Sequence, residues 1–364
     1  MDIASERLAR SFLVGSPWKT ARHLVRALSA VQAQDYEGAK WAISQRTSLN
    51  EEAIEREFTN GAILRTHVLR PTWHFVDPAD IRWMLKLTAP RIMTIMSSYD
   101  RQLNLDDKVY RRGIAVITKA LRDNNYLTRT ELKAVLTKAK FGSLPGERLA
   151  RLVMRAELDA VICSGPRRGK QFTYALLDER APAVKPRDRD ADLEDLTLRY
   201  FRGRSPATAH DYAWWSGLAM RDVKRGIDIA SPHLEQVTID EKTYWRAKDS
   251  PDPPASSAHL LPNYDEFFIG YRDRSAIGKR LRSVSAVTGG STLIAHVLVV
   301  DGQLVGGWKR RFDGERITIE ASVLTRLSPG ERKRLVEATR AFQEFALREV
   351  RVTGLSARAA AKSA

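Results

Sequence analysis

EEAIEREFTNGAILRTHVLRPTWHFV, residues 51–76, decides the fold. Its first half reads as a short helix that Gly61 stops, and the rest alternates like a strand pair. Alternation sets Arg65, His67 and Leu69 on one face and Thr66, Val68 and Arg70 on the other, so one side is polar. Pro71 interrupts the ladder, after which Thr72 and His74 share a face opposite Trp73. Upstream, SERLARSFL and the stripe Leu24, Val25, Leu28, Val31 read as two more helices. Three helices followed by a two-stranded ribbon predict a winged-helix unit over residues 1–77.

The pattern recurs. Asp77-Pro78 opens a long helical region, TRTE at 128–131 forms a capping box, and a further helix leads into the basic ribbon GPRRGKQFTYALLDE, which predicts a second unit over 78–180. A Pro- and charge-rich linker follows. Residues 188–250 then repeat the helix-turn-helix spacing, with Gly217 in the turn and HLEQVTID and KTYWRAK as strands. From about Ala258 the signal is β, with Asp301-Gly302 as a hairpin turn, before a closing helix. The expected class is α+β: tandem winged-helix units, a small β module over 256–352, and a disordered tail over 353–364.

The chain has 364 residues, 43% of them apolar and 29% charged, the composition of a core-forming protein of two or three units. Its 60 Lys and Arg against 44 Asp and Glu leave a net charge of +16, and the pI is near 10.0. Such a surface concentrates polyanions, nucleic acid first and an anionic membrane second. The single cysteine, Cys163, excludes an intramolecular disulfide and a multi-cysteine zinc site. No HExxH, GxxxxGK[ST] or GxGxxG occurs, so neither a metal nor a nucleotide cofactor is expected. Without a signal-peptide core or an apolar run of membrane-spanning length, a cytoplasmic, nucleoid-associated location is expected, with no membrane partner.

The most unusual polar cluster is SAVQAQDYEGAKW, residues 29–41. In a continued helix Gln32 and Gln34 would lie about 200° apart. If the helix ends near Gln32 and the chain extends, both amides point to one side and serve one ligand. Asp35 then faces away, as a supporting residue or the cap of a helix starting near Tyr36. Without further context, a polar helix terminus explains all three equally well.

The chain resembles the AlkZ-like winged-helix DNA glycosylases, which remove alkylated purines and unhook N7-linked interstrand crosslinks. The matching pieces are AVQAQD, LRTHVLRPTWHFV, LLPNYDEFFIGYRDRS and VDGQLVGGWKRR, in the family's order from about residue 5 to 350. The resemblance implies that Gln32 and Gln34, matching the family's Gln, aliphatic, Gln motif, carry the reaction. An N7-alkylpurine is cationic, so its glycosidic bond is already weakened; placing a water and softening the developing oxocarbenium charge remain. Neutral amides do both at a lower desolvation cost than a carboxylate. Asp35 is the rival base. A lyase step is disfavoured, because Lys40 lies six residues past Gln34.

Around this pair, Thr72, His74 and Asp265 are candidate supporting residues, although acidic groups near Arg272 and Arg274 more often form internal ion pairs. Arg65 and Arg70 are expected to line the lesion pocket or grip phosphates. Arg167, Arg168 and Lys170 in the second ribbon, and Lys309, Arg310 and Arg311 in the last hairpin, are expected to contact DNA. Trp214 and Trp215 divide between core and an interface between units. The expected function is a monomeric, cofactor-free monofunctional glycosylase acting on duplex DNA that carries N7-alkylated purines. The rival is a non-catalytic winged-helix transcriptional regulator.

Overall fold

The computed structural model describes residues 2–185, 187–249, 255–283, 285, 296–314 and 316–355, and it is mixed α+β. It opens with helices Ile3–Arg10 (α1) and Ala21–Ala27 (α2), strand Val31–Gln32 (β1), helices Tyr36–Thr47 (α3) and Glu51–Thr59 (α4), and strands Leu64–His67 (β2) and Trp73–Val76 (β3). Strand β3 lies between β1 and β2, antiparallel to both. The ribbon read from the sequence thus gains a third strand, contributed by the glutamine motif. The helix trio also differs from expectation. The α1 residues Ala4 and Leu8 join Leu261, Phe267 and Val297 in a separate cluster, and the third helix of the first unit is α3. Nearly every α3 residue is buried, so it shows no stripe that periodicity could detect.

Next come helices Ile81–Gln102 (α5) and Asp107–Leu121 (α6), strand Leu127–Thr128 (β4), helices Arg129–Lys138 (α7) and Gly146–Leu158 (α8), strands Ile162–Ser164 (β5) and Thr173–Leu176 (β6), and a short helix, Leu177–Arg180 (α9). The Thr128–Glu131 capping box forms as read, and Ile117, Leu121, Leu132, Leu136 and Leu152 make this unit's own core.

Helices Arg189–Arg204 (α10), Ala209–Ser216 (α11) and Met220–Ala230 (α12) precede strands Leu234–Ile239 (β7) and Lys242–Ala247 (β8), and Ala207 bridges to Trp245 of β8. All three regions share one topology: a helix, a short extended segment, two helices, then two strands with the last in the middle. Gly217, at φ 69°, turns α11 into α12 where a Cβ would sit 2.1 Å from the Leu69 carbonyl oxygen.

The last region holds strand Ala258–Leu261 (β9), helix Glu266–Ile269 (α13), strands Val297–Val300 (β10), Gln303–Asp313 (β11) and Arg316–Val323 (β12), helix Pro329–Ala346 (α14) and strand Val350–Thr353 (β13). They form a 5-stranded sheet in the order β13-β12-β11-β10-β9. Asp301 and Gly302 both take positive φ between β10 and β11, as their sequence requires. The tail expected from residue 353 loses its start to the fold, because Thr353 pairs with Glu320 and Leu355 is buried. Residues 356–364 lie outside those described.

Two cores cross the expected boundaries. Val31, Ala33, Trp41 and Phe75 share one with Leu260, Leu298, Trp308 and Phe342 of the C-terminal region. Leu64, Leu69 and Val76 share the other with Trp83, Leu196, Tyr200 and Trp215. Each Val, Leu or Phe among them, fully buried, contributes roughly 1.5–3 kcal/mol. The first sheet is therefore held between the C-terminal module and the third repeat, and the glutamine motif sits at that junction. Among the described residues, no helix is long and apolar enough to cross a membrane.

Candidate active site

Helix α2 ends at Ala27, and Ser29, at φ 65°, redirects the chain into β1. Gln32 pairs with His74, and the Ala33 N–H donates to the Trp73 carbonyl, which carries the extended conformation one residue further. Val31 and Ala33 point into the core shared with the C-terminal module, so Gln32 and Gln34 lie on the opposite side. Their depths differ: Gln32 is 3% exposed, whereas Gln34 is exposed. Both amide oxygens meet one loop. Arg70 Nη2 donates to Gln32 Oε1 at 2.7 Å, and the Trp73 N–H donates to Gln34 Oε1 at 3.4 Å. Each oxygen keeps a second lone pair.

Gln32 is also held from behind. Its backbone N–H donates to Glu266 Oε1 at 3.0 Å, while Glu266 Oε2 accepts from Arg204 Nη2 at 2.6 Å and Trp215 Nε1 at 2.9 Å. Arg204 donates onward to the Leu28 carbonyl, closing a ring around the start of the motif. Sequence reading passed over Glu266 in favour of its neighbour. Its partners lie 234, 62 and 51 residues away, so no local pattern marks it.

His74 is 0% exposed, and its Nδ1 donates to the Thr72 carbonyl at 3.0 Å. Burial, reinforced by Arg70, pushes its pKa down to about 3, so the ring is neutral and Nε2 is an acceptor. Nε2, the Thr66 hydroxyl and the Thr72 hydroxyl are buried without a protein partner among the described residues.

Asp35 takes the cap position read for it before a helix at Tyr36, while other expected site residues take different places. Asp35 caps α3, accepting the Gly38 N–H at 3.0 Å, and lies 3.6 Å from Arg310. Asp265 is not beside the glutamines' amides as a supporting group: its carboxylate, 1% exposed, takes both Arg46 Nη atoms at 2.8 Å and caps α13. Arg65 is not an open phosphate grip either, being buried with its guanidinium 4.4 Å from the Trp73 ring and 4.5 Å from Phe172, and with Nε on the Ala33 carbonyl. Burial lowers its pKa to about 10. Arg70 turns inward to Gln32 and lies 5.6 Å from the Trp214 ring, which is half-buried, while Trp215 is core.

The two basic ribbons are partly neutralised. Arg167 pairs with Glu37 and Glu55, Arg168 with Glu131, and Arg311 with Glu320. Lys170 and Lys309 are exposed and have no acidic partner among the described residues. Lys170, Arg167, Arg310 and Phe312 line an open cleft of about 1000 Å³ whose other wall is the acidic face of α4, with Glu51, Glu52 and Glu55.

The family model described as DNA glycosylase AlkZ-like matches residues 25–345. An interstrand DNA cross-link repair glycosylase of Streptomyces sahachiroi is 23% identical over 321 residues, which cover 83% of this chain and 85% of that protein. The solved structure of Streptomyces sahachiroi DNA glycosylase AlkZ matches with a TM-score of 0.79 at 21% identity, over 97% of this chain and 98% of that one. At this identity the structural likeness speaks to fold.

Proposed function

The chain belongs to the AlkZ-like DNA glycosylase family, and we propose that it hydrolyses the N-glycosidic bond of N7-alkylated purines in duplex DNA. The similarity to a cross-link repair glycosylase extends the proposal to unhooking interstrand crosslinks. We read the three repeats as winged-helix units, each with its last strand central in the sheet. The first presents the motif, since its α4 is too acidic to enter a groove lined by phosphates.

The observation that carries the reading is the approach of both glutamine amides to the single loop 70–73 from one side of the chain. The free lone pairs on Gln32 Oε1 and Gln34 Oε1 accept protons of a water placed against the sugar C1′. The same dipoles face the positive charge that grows there as the cationic base departs. Arg70 beside Gln32 opposes that charge, and the buried Glu266 carboxylate behind the motif, shared with Arg204, moderates the excess positive charge without cancelling it. Asp35, committed to the α3 cap, acts indirectly. Lys170, Lys309 and Arg310 are the proposed phosphate contacts, with the protein acting as a monomer in the nucleoid. The regulator reading is less favoured, because the matching family is one of glycosylases.

The test is incubation with duplex containing N7-methylguanine. Wild type frees the base, while Gln32→Ala and Gln34→Ala bind the same duplex but lose most of the release. Binding by wild type with every lesion left intact rejects the proposal.

A further inference from the structure

We infer that the Thr66 hydroxyl and His74 Nε2 together hold one water molecule beside the Gln32 amide, which makes both of them positioning residues for base release. The inference rests on the glycosylase reading and adds two residues to it. Strand register carries the argument. Gln32 pairs with His74 across β1 and β3, and His74 pairs with Thr66 across β3 and β2. Residues directly paired in this way project to the same face, so the three side chains form one row across the sheet. That face is closed over by the third repeat, and Thr66 and His74 are both 0% exposed.

In this row the hydrogen-bond inventory is incomplete without a small polar guest. Nδ1 of His74 is committed to the Thr72 carbonyl, so Nε2 offers a lone pair and no proton. Neither it nor the Thr66 hydroxyl meets a protein partner among the described residues, and the Thr72 hydroxyl is in the same position. Leaving a buried polar atom unpaired costs about 1–3 kcal/mol, so such atoms are nearly always satisfied by protein or by water. A cluster of them next to one motif meets the demand of a single water, which makes about 3 bonds when buried. That water donates to Nε2, exchanges a bond with the Thr66 hydroxyl, and accepts from the Gln32 amide N–H. Arg70 already fixes the oxygen end of the same amide. With both ends fixed, the amide cannot flip, and the free lone pair of Oε1 keeps one direction.

The test uses two pairs of variants on the N7-methylguanine duplex, with single-turnover base release, DNA affinity and thermal midpoint measured for each. Gln places a polar atom where Nε2 stands, and Asn places one where Nδ1 stands. Release is expected to fall about tenfold to 100-fold in His74→Asn and Thr66→Val with unchanged DNA affinity, and to return towards wild type in His74→Gln and Thr66→Ser. If Asn preserves the rate and Gln loses it, the ring acts only through the Thr72 carbonyl and the inference falls. An unaffected Thr66→Val protein also overturns it. Wild type that frees no base sinks the glycosylase reading instead; a crystal structure then decides the water directly. Solvent density within about 3.2 Å of both atoms supports the site, and its absence rejects it.

Discussion

Glu266 Oε1 accepts the backbone N–H of Gln32 at 3.0 Å, although the two residues stand 234 positions apart. The same carboxylate holds Arg204 and Trp215, so one buried anion ties the motif to the third repeat and to α13. Glu266→Gln keeps the volume but leaves the Arg204 guanidinium without its counter-charge in the interior. Removing one partner of such a pair costs about 3–5 kcal/mol. The urea midpoint is expected to drop accordingly, and at temperatures where the variant is folded kcat should fall more than KM rises. A variant with a lowered midpoint but an unchanged kcat would confine Glu266 to stability.

Asp265, one residue earlier, separates from Glu266 by the opposite pattern. Its bidentate pair with Arg46 joins the segment before α13 to α3, with neither side chain more than 1% exposed. Asp265→Asn is expected to destabilise by about 3–5 kcal/mol. Below its melting transition the variant should release base at close to the wild-type rate. A loss of release in fully folded protein would restore Asp265 to the reaction.

How much of this was legible in the sequence depends on how local the cause is. The Thr128 capping box, the Asp301-Gly302 turn and the Gly217 turn are decided by residues within a few positions of one another, and they form as read. The stripe through Leu24, Val25, Leu28 and Val31 runs past the true end of α2 at Ala27, since Val31 already belongs to β1; the extended chain at Gln32 is one of the two alternatives the sequence leaves open. The phosphate-grip reading of Arg65 fails because alternation reports which face a side chain takes, not what covers that face; Phe172 and Trp73 close over it. Helix α3 shows in the sequence only through its start, with Asp35 as a cap before Tyr36, because a helix buried on nearly all sides has no stripe to mark its length. Thr66 carried no mark at all: its interest comes from the row it shares with His74 and Gln32 once three strands are assembled.

The ion pairs also sort the basic residues by their use to DNA. Lys309 is exposed without an acidic partner among the described residues, while Arg168 is already engaged by Glu131 at 2.6 Å and by the Tyr126 carbonyl. A cation that is free before binding releases a DNA counterion on contact, so Lys309→Ala should lower the slope of log affinity against log salt by about 1. Arg168→Ala should change that slope by less. Equal slopes for wild type and Lys309→Ala, measured by fluorescence anisotropy from low to physiological salt, would remove Lys309 from the interface.

Acid should unfold the protein earlier than its carboxylates alone would require. Burial, with Arg70 adding to it, depresses the pKa of His74 to about 3; burial, reinforced by Arg46 and Arg310 respectively, depresses those of His259 and His296 to about 4. In the unfolded chain each returns to about 6.5. Between the folded and unfolded values the unfolded state binds more protons, so stability rises with pH across that window. The histidine contribution is therefore complete above about pH 6.5 and is lost as pH falls towards 4 and below. The thermal midpoint, followed from pH 7.5 down to 4.5, is expected to fall with a slope that His259→Gln and His296→Gln both reduce. The neutral state of His74 gives a second reading of the same physics: base release should show no break near pH 6.5 that His74→Gln abolishes. A midpoint that stays level from pH 7.5 to 5 would show that these three rings are protonated, or solvated, in the folded protein.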